Sequence, residues 1–310
     1  PELHWEKTAQ VNVGFDASLF SNRLTLGLDL YNSNTYDLLL NVPVPMTTGY
    51  NTRLENIGKV NNKVNSTLEP NGRWQEAASG NLNKEGYAVS SFWAFRFTGL
   101  NPENGGPQFD LTGIDLDAAA SDATLYMDYA GKMDPDFTSG MSFTLRYKTL
   151  SLTSGLYFSF GNKAFMAPMS SNYESIPGEE YNMSTEWLKR WRKPGDEKTT
   201  TVPSLPNIST SAQPINVPVS VGTRLKPYEL YAKSDVRVVD AWFIRCNSIQ
   251  LAYTLPPAKL PHFLQNLSVS FSMTNPFQIR SKDFLGRDPE VALGNQPMSH
   301  DYSLGISLSF

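Results

Sequence analysis

The chain has 310 residues and a formal net charge of −4, so no basic field points to nucleic acid as a partner. Charged residues make up 18%, below the roughly 25% of soluble domains, while aromatics reach 12% and need a large core or a membrane interface. The single cysteine, Cys246, excludes an internal disulfide framework. No run reaches the roughly 18 apolar residues of a spanning helix, although barrel strands would not show one. The chain opens at Pro1 with neither Met nor signal peptide, so we expect a piece of a longer exported precursor.

Period-two patterning predicts the elements in chain order. Thr8–Ala17 gives a weak strand, followed by a short turn at Phe20–Asn22. In Asn22–Tyr31, Leu24, Leu26, Leu28 and Leu30 share one face and Arg23, Thr25, Gly27 and Asp29 the other. Pro70–Thr138 is rich in Gly, Pro, Asn and Ser and predicts a long loop. Met141, Phe143, Leu145 and Tyr147 then oppose Ser142, Thr144, Arg146 and Lys148. After a turn near Lys148–Leu150, Leu152, Leu156, Phe158 and Phe160 oppose Ser151, Thr153, Gly155, Tyr157 and Ser159. Gly161–Val236 predicts a second long loop, with a brief helical pattern at Ser184–Arg192. Asn247–Thr254 is a weak strand, and Leu267, Val269, Phe271 and Met273 alternate with Ser268, Ser270, Ser272 and Thr274. The chain ends with Tyr302, Leu304, Ile306, Leu308 and Phe310 against Ser303, Gly305, Ser307 and Ser309.

The polar faces bear on the environment. A soluble sandwich would show Lys and Glu there, whereas these are mostly Ser, Thr, Gly and Asn, which suits a crowded, hydrated lumen. The strands approach the 9–11 residues that cross a bilayer. Short turns alternating with long loops are the pattern of outer-membrane barrels and uncommon in soluble domains. Alternation by itself leaves a membrane barrel and a soluble sandwich or barrel both open.

Several segments, in order, carry a resemblance. They are PELHWEKTAQVNVGFD (Pro1–Asp16), TYDLLLNVPVPMTTGY (Thr35–Tyr50), NIGKV (Asn56–Val60), GLNPENGGPQF (Gly99–Phe109) and RWRKPGDEK (Arg190–Lys198). SIQLAYTLP (Ser248–Pro256), TNPF (Thr274–Phe277), DPEV (Asp288–Val291) and YSLGISLSF (Tyr302–Phe310) complete the series. Together they resemble the C-terminal third of SusC-like TonB-dependent transporters (the SusC/RagA family). The resemblance implies an all-β, antiparallel transmembrane β-barrel, with residues 1–310 as the C-terminal strands of a plugged barrel of about 22 strands. The plug, the TonB-contacting box and the early strands would then lie outside this chain. NNKVNSTLEPNGRW (Asn61–Trp74) departs from the family pattern by lacking its glycine, so a strand there is expected to be short or missing.

The same resemblance implies an importer of oligosaccharides or peptides in the outer membrane of Bacteroidota-like bacteria. It would work with a SusD-like surface lipoprotein and draw energy through TonB, with no catalysis and no cofactor. The alternative is a passive porin-like or adhesin barrel without TonB coupling, or a soluble glycan-binding sandwich. The terminal strand, Tyr302, Leu304, Ile306, Leu308 and Phe310, would be the segment that the barrel-assembly machinery reads.

Chemistry-bearing motifs are few. His4, His262 and His300 are dispersed, and no zinc, P-loop, nucleophile-elbow or dinucleotide pattern occurs. Asp115, Asp117, Asp122 and Asp128 could offer oxygen ligands to Ca²⁺, but their spacing is not an EF-hand's and a solvated loop is expected. The loop with Trp187, Arg190, Trp191 and Arg192 is basic and Trp-flanked, fit either to bind an anion or stack a sugar, or to dock a partner. Tyr147, Trp242 and Phe243 are expected as interface aromatics.

Overall fold

The alternating segments pair into one antiparallel sheet. In the computed structural model its main path runs through β1 (Lys7–Leu19), β2 (Leu24–Tyr36), β3 (Phe137–Tyr147), β4 (Leu150–Phe160), β5 (Phe243–Thr254), β6 (Asn266–Arg280) and β7 (Asp301–Ser309), and the short strand Lys59–Val60 pairs with the end of β2 off this path. The structure describes residues 7–21, 23–36, 39–43, 52–56, 59–60, 74–82, 84–111, 122–169, 183–207, 210, 215–216, 224–291 and 296–310. Each strand lies beside its predecessor, antiparallel from β2 onward. The path does not close on itself, and β1 and β7 are its edges among the described residues. No described helix is long and apolar enough to cross a membrane, which says nothing of a β-barrel.

Register turns the sequence alternation into rows across the sheet. Leu24, Leu145, Leu152, Leu251, Phe271 and Leu304 form one row, and Leu26, Phe143, Ser154, Ile249, Met273 and Tyr302 the next. On the opposite face Thr25, Thr144, Thr153, Gln250, Ser272 and Ser303 align. Two tight turns hold this register. Phe20 and Ser21 take positive φ before Arg23 N–H closes on Leu19 O at 3.1 Å, and Lys148 at φ 55° turns β3 into β4.

One residue breaks the alternation. Leu156 pairs with Cys246 and Gly155 with Ser248, so β5 carries Asn247 as an extra residue, a β-bulge. On the partner side Cys246 faces Phe277 and Ser248 faces Thr274, around Asn275 with φ 50°. The bulge inverts the facing of β5. Ile249, Leu251 and Tyr253 are apolar-face residues, whereas Phe243 and Arg245, of the same sequence parity, sit on the polar face beside Ser159 and Tyr157.

Two compact units divide the chain, and this sheet forms one: Thr8–Asn34, Pro135–Asn162 and Ala241–Phe310. Pro1–Lys7, Thr35–Asp134 and Lys163–Asp240 form the other. The second unit corrects the expectation of two extended loops, because it has its own core. Trp93 and Phe95 of the strand Ser91–Phe95 pack with Trp74, Ala77 and Ala78 of the helix Trp74–Ser79, and with Ala123, Tyr126, Met127 and Leu230. Ser91–Phe95 pairs antiparallel with Met127–Lys132, which supplies the backbone partners such a core needs. A second cluster joins Met169, Trp187, Tyr228 and Tyr231. Much of the aromatic surplus of the sequence is used here.

Candidate functional site

The basic loop is built around its two tryptophans. Ser184 caps the short 3₁₀ helix Thr185–Lys189 by accepting from Glu186 N–H at 3.3 Å. Trp187 is buried among Met169, Tyr228 and Tyr231, and its Nε1 donates to Met169 O at 3.1 Å. Trp191 is buried too and donates from Nε1 to Glu197 Oε2 at 3.2 Å. Its ring lies on Gly105, where an added Cβ would stand 2.4 Å from Trp191 Cε3 at a backbone φ of +70°. Only glycine fits that approach. Neither indole face is left open for a sugar to stack on.

The cations behave differently. Arg190 is half-buried and donates to Trp187 O at 3.0 Å, while exposed Arg192 donates to Leu188 O at 3.0 Å. Asp196 accepts the N–H groups of Arg192 and Lys193 at 3.0 and 3.2 Å, and Glu197 accepts that of Gly195 at 2.7 Å. Asp196 and Glu197 therefore shape the backbone of the loop. Lys189, Arg192, Lys193 and Lys198 line its exposed surface. Sequence reasoning named Trp187, Arg190, Trp191 and Arg192 together; the structure gives the tryptophans the scaffold and Arg192 the surface.

Charged residues that sequence reasoning did not single out organise the rest. Arg237 is buried and both of its terminal nitrogens donate to Glu186, one of them also to Ala167 O. It thereby fixes the helix that carries Trp187. Arg96 reaches Asp110 at 3.1 Å and grips Asp128 through Nε and Nη2 at 2.8 and 2.7 Å, and the hydrogen bonds to Asp128 hold its carboxyl below its ordinary range. Asp122 caps Ala123–Leu125 and pairs with Lys84 at 3.5 Å. Asp115 and Asp117 lie outside the described residues, as does His4. Among the described residues no group of three or more His, Cys, Asp or Glu is placed to hold a metal ion.

In the sheet unit, Arg245 on the polar face donates from Nε to Glu290 Oε2 at 2.9 Å and from Nη2 to Asp288 Oδ2 at 2.6 Å. Asp288 also accepts from Gln278 Nε2 and from Glu290 N–H. Burial works against its charge, but these hydrogen bonds outweigh burial and hold its carboxyl below the ordinary value. The DPEV motif is thus an anchor, a role its sequence alone did not disclose.

Of the expected interface aromatics, Tyr147 is exposed on the apolar face and Trp242 stacks on Phe160 at 6.0 Å, which itself stacks on Phe137 at 6.4 Å. Phe243 departs from expectation. The Asn247 bulge turns it to the polar face, where it is buried against Tyr157 at 5.8 Å. The terminal strand, with Tyr302, Leu304, Ile306, Leu308 and Phe310, is exposed throughout and pairs only with β6 among the described residues.

No family model matches the chain. TonB-dependent receptor P3 of Formosa agariphila is 23% identical over 375 residues, covering 99% of this chain and 34% of that protein. TonB-dependent receptor SusC of Bacteroides thetaiotaomicron is 25% identical over 360 residues, with 99% and 32% covered. A 62-residue stretch is 50% identical to receptor P39 of Formosa agariphila, over 20% of this chain and 6% of that protein. Among solved structures, the RagAB peptide importer in its open-open state superposes with a TM-score of 0.65 at 21% identity, covering 100% of this chain and 35% of that one. The RagAB peptide transporter gives 0.63 at 22%, with 99% and 36% covered.

The fold is that of antiparallel TonB-dependent barrel transporters, with a sheet that is not closed among the described residues. The chain is homologous to TonB-dependent receptors, SusC among them, and spans about a third of the length of the curated relatives it matches.

Proposed function

We propose that the chain forms the C-terminal wall and surface loops of an outer-membrane, TonB-dependent nutrient importer. One observation carries the membrane part of this reading: the sheet has its apolar face outward. On the interior strands Leu145 is 46% exposed, Leu251 41% and Phe271 40%, while Arg245 and Ser159 on the opposite face are buried. Water would penalise such a face by about 25 cal/mol per Å², and lipid removes the penalty. From Phe137 to Tyr147, β3 presents this face over 11 residues, matching the roughly 9–11 of a tilted spanning strand.

The likeness to SusC and to the RagAB importer supports transport over catalysis. It also supports a SusD-like lipoprotein as partner, with a plug and further strands supplied from outside residues 1–310. The exposed cations Lys189, Arg192, Lys193 and Lys198 give the 185–204 loop the character of a docking surface for an acidic partner. Oligosaccharide or peptide is the cargo class, peptide being what the RagAB structures are named for.

The test is detergent extraction of native outer membranes, capture through a tag in the 199–211 segment, and mass spectrometry. Co-recovery of plug peptides and a lipoprotein supports the importer. Recovery of the polypeptide alone, or in the soluble fraction, overturns it.

A further inference from the structure

The segment that follows β6 folds back over the polar face of the sheet. Ser281 N–H donates to Trp242 O at 3.1 Å, and Lys282–Phe284 makes one 3₁₀ turn. Leu285 and Gly286 then take positive φ, and this reversal brings Asp288 onto Gln278, the register neighbour of Arg245. Asp288, Pro289 and Glu290 form a tight unit in which Asp288 Oδ1 accepts Glu290 N–H at 3.0 Å. Both carboxylates meet the Arg245 guanidinium, which lies over the Phe243 ring at 5.6 Å and is 6% exposed. Arg280 ties Gly286 O from the same face.

A buried ion pair gains little over apolar packing, so its worth lies in the single geometry it imposes. This geometry also depends on the Asn247 bulge, without which Arg245 would share the face of Leu251 and Tyr253. We propose that residues 281–291 are a fixed, inward-folded constriction, clamped by Arg245, which limits the size of cargo passing along this part of the wall. The constriction rests on the reading above that the polar face lines a lumen; the clamp does not. Arg245 is a positioning residue, and the exposed side chains of Lys282, Asp283, Arg287 and Glu290 are those the clamp presents.

The complete receptor, in outer-membrane vesicles and with Cys246→Ser, would carry spin labels at Leu285→Cys and at Lys148→Cys in the exposed β3–β4 turn. Pulsed dipolar spectroscopy should give a narrow distance distribution. Arg245→Met should broaden it severalfold, Arg245→Lys should restore part of the narrowing, and the loop-borne pair Asp288→Asn/Glu290→Gln should broaden it without touching a strand. The broadened variants should admit fluorescent oligomers larger than the parent receptor does. A distribution that stays narrow in both clamp-free variants overturns the clamp, and broadening with unchanged size exclusion overturns the constriction. A label at Leu304→Cys reports on the underlying reading separately. Quenching there by a water-soluble nickel chelate in preference to oxygen would overturn the lipid-facing assignment even if the clamp stands.

Discussion

Arg245 Nη2 donates to Asp288 Oδ2 at 2.6 Å and so joins β5 to a loop 43 residues further along the chain. The contact exists because one extra residue, Asn247, rotates the first part of β5 by one face. Backbone irregularity and charge pairing thus act together: the bulge places the guanidinium, and the loop supplies its carboxylates.

A pH dependence follows. The Asp288 carboxyl is held below its ordinary value, with burial outweighed by the hydrogen bonds from Arg245, Gln278 and Glu290 N–H. A carboxyl depressed in the folded state stabilises fully above its unfolded pKa of roughly 3.9 and loses that contribution as pH falls through the folded value. Asp288→Asn should therefore lower unfolding stability at pH 7 by about 1.5–3 kcal/mol, the range for a charged hydrogen bond. The deficit should shrink as the medium is taken below pH of roughly 4. Paired urea titrations of both proteins in detergent check this; a deficit constant with pH would remove the titration from the account.

Much of the sheet was legible in the sequence. The runs ending at Leu30, Tyr147, Phe160, Met273 and Leu308 alternate because each must keep one face apolar, and every one falls in a strand. The first four residues of β5 were hidden, since alternation read through Asn247 puts Phe243 and Arg245 on the wrong face. The loop unit was illegible for a different reason. Its core joins Trp74, Phe95, Tyr126 and Leu230, residues too far apart in the chain for any local period to link. The indoles of Trp187 and Trp191 read as exposed recognition groups because nothing local announces Met169 or Gly105 beneath them.

Within the loop unit, Arg237→Met should be among the most damaging single changes. It leaves Glu186 with no cation in a site where both side chains are largely buried, a loss of about 3–5 kcal/mol by analogy with other broken buried pairs. Exposed Arg192→Ala should cost less than about 0.5 kcal/mol. Limited proteolysis should cut the 184–205 region of the first variant readily and spare the second, while partner capture, if the loop docks a lipoprotein, should fall in both.

Gly105 offers a cleaner structural test. Gly105→Ala puts a methyl 2.4 Å from Trp191 Cε3 and strains a backbone at φ +70°. The expected cost is about 1–3 kcal/mol from overpacking alone. Gly195, also at positive φ but with open space around it, should tolerate alanine better, limited to the strain of its backbone. Tryptophan fluorescence during unfolding separates the two; equal losses would mean that the Trp191 contact contributes nothing.

The register makes adjacent residues of one strand a matched pair for the membrane reading. Leu251 and Phe271 face each other on the apolar side, Gln250 and Ser272 on the polar side. Leu251→Arg should cost about 2–4 kcal/mol if that face meets hydrocarbon near the midplane, and Gln250→Arg should cost little. Abundance in the outer membrane and unfolding in lipid vesicles give the comparison. Equal tolerance of the two arginines would count against lipid on the apolar face.

The terminal strand separates assembly from stability. Phe310 is 75% exposed and lies beyond the last strand residue, so its side chain holds little of the folded structure together. β7 offers one unpaired edge among the described residues, the feature through which another strand can be added by main-chain hydrogen bonds. If the assembly machinery reads this edge and its final aromatic, Phe310→Ala should sharply reduce the heat-modifiable, membrane-inserted fraction in cells. The same variant refolded into lipid vesicles should unfold within about 0.5 kcal/mol of the parent, as an exposed substitution does. Ile306→Ala, inside β7 and paired with Val269, should instead weaken both readouts. Normal insertion of Phe310→Ala in cells would assign that aromatic no role in assembly and leave it simply the end of a strand.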